Sequence, residues 1–413
     1  MKKHLAIIMA AAMAFSAVPA VSASAAETEP TKDFVLFGDS IAAGYTRANN
    51  VEHNYGEILA DYYNGTVSNY AVSGDDSDQM LEKIKSLSAE QKQAVKDAEC
   101  IVISVGGNDI IYFVCNKLLT YFAEEGLLND GYTADNLPKR PSLTELLEIV
   151  PEDKIRAYAN DFDNALGLLD VLTKTVASLT LNLPDKGYEG YITNHIMPNI
   201  SESVAQLKAI NPNASIVVQN IYQPLQIEES YIKEVYKSDA YTILINQLRS
   251  HFEDTMSTFN KELTALAASD KFILADVLTK FTSQEEGVSR SSKNPGKASY
   301  FVDIKQKSLR EADIHPNQKG HLAIAAAVIT SLGETHNDYG LLSDIYENLS
   351  DKADYPAVAL ADYEAAAGTW TLGDVNFDGI IDARDATVIL TYYEKASSGY
   401  EGTIDDYIAS LAE

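Results

Sequence analysis

Basic residues are scarce in this chain of 413 residues, with 32 lysines and arginines against 60 aspartates and glutamates. So acidic a balance makes nucleic acids and anionic membrane surfaces poor partners. It favours solubility, neutral substrates and bound cations. Cysteine is scarcer still, with two, Cys100 and Cys115, so a cysteine-based metal site is out of reach. One disulfide is the most they allow. Cys115 lies well past the far end of the apolar run that Cys100 opens, so pairing needs the chain to fold back on itself. Beyond the N-terminus no apolar run is long enough to span a bilayer.

The first 26 residues, MKKHLAIIMAAAMAFSAVPAVSASAA, combine a charged start, an apolar stretch and small residues at Ala23-Ser24-Ala25. That pattern predicts a secretory signal peptide cut after Ala25 or Ala26. Pro19 and the lack of flanking charges argue against a retained anchor. Cleavage removes Lys2 and Lys3 and no acid, leaving 30 basic against 60 acidic residues and a net charge of −30. Hydrophobic residues make up 46%, ample for a full core. A secreted globular protein is expected.

Five short apolar runs alternate with longer amphipathic stretches: FVLF (34–37), VSNYAV (67–72), CIVISV (100–105), SIVVQNIY (215–222) and KFILADV (271–277). Strands separated by helical patterns predict an α/β protein with a parallel sheet covered on both faces. After HPNQKGH, the stripe Leu322, Ala325, Val328, Ile329 and Leu332 predicts an amphipathic helix. The interval from Ile110 to about Ala214 reads as a helical insertion placed to roof a site. Within it Tyr112, Phe113, Leu118, Leu119, Tyr121 and Phe122 form a stripe that suits either a core or an acyl-binding wall. The main domain is expected over 32–335, followed by a linker over 336–371 and a small module over 372–413.

Ser40, in LFGDSIAAGY, stands where an apolar strand gives way to helix-forming residues. Such a serine is either a helix N-cap or a nucleophile, and the carboxyl ends of parallel strands are where α/β folds place ligands. There a backbone N–H and a helix dipole would also stabilise an oxyanion. A nucleophilic serine needs a base. His315 lies in EADIHPNQKGH at the entry to the last helix, exposed and orientable. His321, on that helix, reads as a surface or second-layer residue, and His251 as a helix-surface residue. Two more loops follow strand ends: AVSGDDS offers the Gly74 N–H, and VGGNDI offers the Asn108 amide. Each is also an ordinary turn sequence.

Gly38-Asp39-Ser40, Gly74, Gly106-Gly107-Asn108-Asp109 and His315-Pro316 together resemble the four ordered blocks of the SGNH, or GDSL-type, hydrolases. The resemblance covers roughly residues 32 to 335. It implies a flavodoxin-like three-layer α/β/α fold, Ser40 as nucleophile and His315 as general base. It further implies an oxyanion hole from the Ser40 N–H, the Gly74 N–H and the Asn108 side chain. No G-x-S-x-G elbow occurs, which disfavours the ordinary α/β-hydrolase arrangement. The family's usual aspartate three residues before the histidine is replaced by Ala312. Either Asp313 orients His315, or a backbone carbonyl near Ala312 does so and the enzyme is a dyad.

Near the C-terminus DVNFDGIIDARD sets Asp374, Asn376, Asp378, Asp382 and Asp385 at positions 1, 3, 5, 9 and 12 of a twelve-residue loop. Gly379 sits at the sharp turn, and the Ile380 carbonyl is at position 7. Hard oxygen ligands at this spacing suit Ca²⁺ in an EF-hand-like loop. The loop and the ATVILTYY after it resemble one calcium-binding repeat of dockerins, the modules that dock enzymes onto cohesin scaffolds. Dockerins carry two repeats, and no second loop follows here. The resemblance therefore implies structural Ca²⁺, with a cohesin-bearing scaffold as a partner only if a half-module suffices.

These observations lead to a secreted serine esterase acting on neutral esters without a catalytic cofactor. Its expected substrates are acetyl groups on polysaccharide if the dockerin resemblance holds. The alternatives are a lipase or phospholipase with the 110–214 insertion as a lid, and a non-catalytic binding module on the same fold.

Overall fold

A computed structural model describes residues 31–46, 50–222, 239–282, 314–333 and Lys395. The predicted signal segment, Asp313 and the 374–385 loop lie outside the described residues. Seven strands are described: β1 (Phe34–Gly38), β2 (Val67–Asn69), β3 (Cys100–Ser104), β4 (Asn182–Leu183), β5 (Tyr188–Glu189), β6 (Ser215–Gln219) and β7 (Ile273–Ala275). The short β4 and β5 pair with each other, antiparallel. The other five form a parallel sheet in the order β2-β1-β3-β6-β7. With the small pair set aside, this is the 2-1-3-4-5 order of flavodoxin-like sheets, whose topological switch point lies between β1 and β3. Every residue of β1 and β3 is buried. Alternate residues of a strand face opposite sides, so both faces of the sheet are covered.

All five predicted runs contain a strand; β1 extends one residue past its run to Gly38, and the other four are shorter than predicted. Ladder pairing of β2 stops at Asn69, yet the Tyr70 N–H donates to the Leu36 carbonyl (2.8 Å) and the Val72 N–H to that of Gly38 (2.9 Å). The chain thus keeps pace with β1 as far as the predicted end.

Twelve α-helices connect these strands among the described residues. α1 (Ser40–Ala43) and α2 (Tyr55–Tyr62) follow β1, and α3 (Ser77–Lys85) and α4 (Ala89–Asp97) join β2 to β3. The interval before β6 holds α5 (Gly107–Glu124), α6 (Leu143–Ile149), α7 (Glu152–Ala159), α8 (Phe162–Thr180) and α9 (Met197–Ile210). After it come α10 (Asp239–Asp270), α11 (Val277–Thr282) and α12 (Gln318–Ser331). Several starts are written locally: Asn54 with Glu57, Asp76 with Gln79, Ser88 with Gln91 and Ser142 with Glu145 form capping boxes. Each satisfies orphan N–H groups of a first turn. No described helix is long and apolar enough to cross a membrane.

Two expectations change. α12 is not a one-stripe amphipathic helix, because Leu322 to Ile329 are all buried as the helix packs on β6, β7, α2 and α11. Ala323, Ala325, Ala326 and Ala327 are small enough to let those neighbours approach on every side. His321, on the same helix, is fully buried. Its Nδ1 accepts from the Tyr55 N–H (3.2 Å), and its ring stacks on Tyr55 at 5.9 Å. Burial, reinforced by the charge of His315, pushes its pKa down to about 3, so the ring stays neutral. His251 is partly buried, 3.4 Å from the Thr173 hydroxyl. Cys100 and Cys115 are buried and unpaired, and burial pushes each thiol up to about 12, which makes both inert.

One side chain fixes how the insertion rejoins the sheet. Asn211 caps the C-terminal end of α9, and its amide donates to the carbonyls of Val95, Lys96 and Ala98. Its oxygen accepts from the N–H groups of Asn213 and Ala214. It thereby ties the entry to β6 to the entry to β3. Asn211→Ala leaves several buried backbone groups unpaired and is expected to destabilise the fold by about 2–4 kcal/mol. Urea denaturation measures this. A loss under about 1 kcal/mol would show that other groups compensate.

Candidate active site

The site begins with a close approach of two backbones. Gly38 has φ +141°, and a Cβ there would lie 2.0 Å from the Ser104 carbonyl oxygen. Only glycine fits, and the fit lets the Asp39 N–H donate to that same oxygen at 3.1 Å. The Asp39 carboxylate then caps α1, accepting from the Ile41 N–H (3.0 Å) and the Ser104 hydroxyl (3.3 Å). The cap is therefore Asp39 and not Ser40, which leaves the serine hydroxyl available as the first residue of the turn. α1 is a single turn of four residues, ended by Gly44. The expected helix dipole is correspondingly small, and any oxyanion stabilisation at this point falls to the N–H group itself.

Ser40 Oγ lies 3.0 Å from His315 Nε2, across 275 residues of sequence. Three contacts hold the segment that carries this histidine. The Tyr222 hydroxyl donates to the Ile314 carbonyl (2.7 Å). Tyr45 stands edge-on to the imidazole, with ring centroids 4.9 Å apart. Gln318, at the start of α12, grips the backbone of His53, accepting from its N–H (3.0 Å) and donating to its carbonyl (2.6 Å). The buried Asp39 carboxyl is pushed up to about 6, chiefly by desolvation. The bond from the Ile41 N–H and then the charge of His315 oppose that rise.

The two oxyanion candidates come from neighbouring strand ends. Gly74 follows β2 with φ +89°, and Asn108 stands in the first turn of α5, just past β3. The Asn108 amide donates to the carbonyl of Asp75 (2.8 Å), which leaves its second hydrogen for another acceptor. Among the described residues neither the Ser40 N–H nor the Gly74 N–H is paired with an acceptor. Asp109, next to Asn108, is buried and accepts from the Ser77 N–H (2.9 Å) and hydroxyl (2.5 Å). Desolvation pushes its carboxyl up to about 6 against those bonds.

Ser40, Asn108 and His315 open onto one cleft, of which about 140 Å³ is accessible to the centre of a water molecule. Its far wall is apolar: Ile111, Val114, Cys115 and Leu118 from α5, Leu146 from α6, Phe252 and Met256 from α10, and Ile221 after β6. Of the predicted acyl stripe Leu118 is in this wall. Leu119 and Phe122 are in the core, Phe113 packs on Tyr191 and Tyr121 on Tyr158. Tyr112 faces a second, polar cleft on the other side, with Gly74, Lys83 and Arg140. Sequence reasoning missed Tyr222, Phe252 and Met256. Tyr222 stands just past the fourth long strand, a position where strand-end loops carry function. Phe252 and Met256 come from a helix that carries no motif.

The segment 36–323, more than two thirds of the chain, matches the model of the GDSL-like lipase/acylhydrolase family. No curated protein matches the chain. Similar solved structures include an extracellular lipase from Streptomyces rimosus, at 16% identity and TM-score 0.42, covering 73% of this chain and 100% of that one. A phospholipase A1 from Streptomyces albidoflavus NA297 has 13% identity, TM-score 0.43 and coverage of 73% and 99%. A catalytic mutant of an acetylxylan esterase from Geobacillus stearothermophilus has 12% identity, TM-score 0.36 and coverage of 74% and 96%. TM-scores this low decide nothing about substrate, so membership rests on the family match together with a serine, a histidine and an asparagine converging on one cleft. On that ground the chain belongs to the GDSL-like lipase/acylhydrolase family and is a serine hydrolase of carboxylic esters.

Proposed function

We propose that this hydrolase cleaves esters whose acyl group is an apolar chain, with Ser40 as nucleophile and His315 as general base. The observation that carries the reading is the apolar cleft opening on Ser40 Oγ. An acetyl group would leave most of that wall uncovered. Each further methylene buried contributes about 0.8 kcal/mol, roughly fourfold in kcat/KM, until the cleft is full.

In this reading His315 Nε2 takes the Ser40 proton as Oγ attacks the ester carbonyl. The Ser40 and Gly74 N–H groups and the Asn108 amide hold the tetrahedral oxyanion. The imidazolium then returns its proton to the departing alcohol, and water repeats the sequence on the acyl-enzyme. Whether Asp313 or a backbone carbonyl orients His315 falls outside the described residues. The leader-like first 26 residues support secretion as the setting.

A panel of p-nitrophenyl esters tests the substrate class. kcat/KM is expected to rise from acetyl to a longer chain, and Val114→Phe to shift the optimum to shorter chains while sparing the acetyl ester. A wild-type optimum at acetyl would overturn the acyl reading and restore acetylated carbohydrate as the substrate class. Asn108→Ala is expected to lower kcat by roughly 10²-fold with little change in KM, because its donor engages the transition state. An unchanged kcat would remove Asn108 from the hole.

The 374–385 loop is a separate proposal, resting on ligand spacing alone: Asp374, Asn376, Asp378, the Ile380 carbonyl, Asp382 and Asp385 hold one structural Ca²⁺. Docking to a cohesin would be a further property of that loop. In the full chain, Ca²⁺ is expected to protect the C-terminal region from proteolysis and to leave ester hydrolysis nearly unchanged. Equal proteolysis with Ca²⁺ and with a chelator would rule the metal out.

A further inference from the structure

Helix α5 holds the Gly74 loop at two successive carbonyls. Asn108 and Tyr112 lie four residues apart, on one face of the helix and one turn from each other. The Asn108 amide donates to the Asp75 carbonyl at 2.8 Å, and the Tyr112 hydroxyl donates to the Gly74 carbonyl at 2.7 Å. Between them Asp109 holds the N–H and hydroxyl of Ser77, the first residue of α3, where that loop ends. The loop's register against α5 is thus fixed by three side chains of that helix.

Gly74 needs such a hold. It has φ +89°, and glycine has little intrinsic preference that would fix its neighbouring peptide planes. It has no side chain of its own to anchor it, and at this positive φ a substituent would be strained and would crowd the Tyr112 oxygen at 3.2 Å. Tyr112 can serve across the working pH range. Burial, and after it the carboxylates of Asp76 and Glu145, push its phenol up to about 12, so it remains a hydroxyl donor.

Neither Tyr112 nor Gly74 lines the cleft that holds Ser40; both lie in the second cleft, with Ser73 and Arg140. The contact of Tyr112 with the candidate hole is therefore its hydrogen bond to the Gly74 carbonyl. We propose that Tyr112 is a positioning residue: its hydroxyl fixes the Gly74 peptide so that the Gly74 N–H is aimed at the oxyanion. This rests on the assignment of Gly74 and Asn108 to the oxyanion hole.

Tyr112→Phe removes the hydroxyl and keeps the ring. It is expected to lower kcat by roughly tenfold to a hundredfold, with KM within about twofold, because a donor displaced by a fraction of an ångström costs transition-state and not ground-state interaction. An alkyl boronic acid, whose tetrahedral adduct on Ser40 places an oxygen in the hole, should bind more weakly by a similar factor. A purely structural brace would instead lower the melting temperature and leave kcat and boronic-acid affinity unchanged, and that result overturns the proposal. Asn108→Ala, run in parallel, separates the two levels. If both variants keep full kcat, the oxyanion assignment itself fails; if only Tyr112→Phe does, only the role of Tyr112 falls. Should Tyr112→Phe not fold, a ring-fluorinated tyrosine at this position keeps the hydroxyl but ionises at lower pH. A new alkaline loss of kcat supports the proposal, and an unaltered alkaline limb overturns it.

Discussion

The packing of Gly38 against the Ser104 carbonyl is the constraint on which the site depends. β1 and β3 are hydrogen-bonded neighbours, and at their last pair the two backbones come so close that no side chain fits between them. That closeness puts the Asp39 N–H on the Ser104 oxygen and turns the Asp39 carboxylate back onto the next turn. Ser40 is then the first residue free to face outward. The crevice at a switch point lies outside the carboxyl ends of the strands, and here it receives Ser40 from the end of β1 and Asn108 from the end of β3. The Gly74 loop follows β2, which runs parallel beside β1, and Asn108 ties it to the start of α5.

α5 serves the site on two sides. Its first turn carries Asn108 and Asp109, which fasten the loop after β2, and its next turns supply Ile111, Val114, Cys115 and Leu118 to the apolar wall. One helix therefore carries both the polar Asn108 end of the cleft and part of its apolar wall. Cys115, in the middle of that wall, acts as a small hydrophobe, because burial keeps its thiol protonated. Two buried carboxyls, Asp39 and Asp109, stand one on each side of the crevice, each raised by desolvation and each satisfied by donors from its own surroundings.

Much of this was legible in the sequence, for local reasons. Apolar runs of strand length with helical stretches between them predict the sheet, whereas capping pairs such as Asp76 with Gln79 were found only in the structure. Gly-Asp-Ser, Gly74 and Asn108 are conspicuous because glycine and asparagine just past a strand offer donors at short reach. What escaped notice depends on distant partners. The burial of His321 is decided by Tyr55, and the role of Tyr222 by Ile314. Phe252 and Met256 reach the cleft only because α10 packs across the insertion against α8. Ser40 itself was ambiguous as a cap, and the ambiguity was resolved by Asp39, a neighbour whose side chain reaches the orphan N–H first.

The grip of Gln318 on His53, and of His321 on the Tyr55 N–H, has a consequence for when this chain becomes an enzyme. These bonds join residues 265 and 266 positions apart, and contacts of such separation form only after the intervening chain has closed its loop. The segment carrying His315 is fastened by them, so Ser40 and His315 meet after α12 has docked beside α2. A chain still emerging from its site of synthesis holds Ser40 near its beginning and lacks His315 until more than three quarters of its length is out. The contact between the two residues thus arrives late, and partly folded forms hold Ser40 without it.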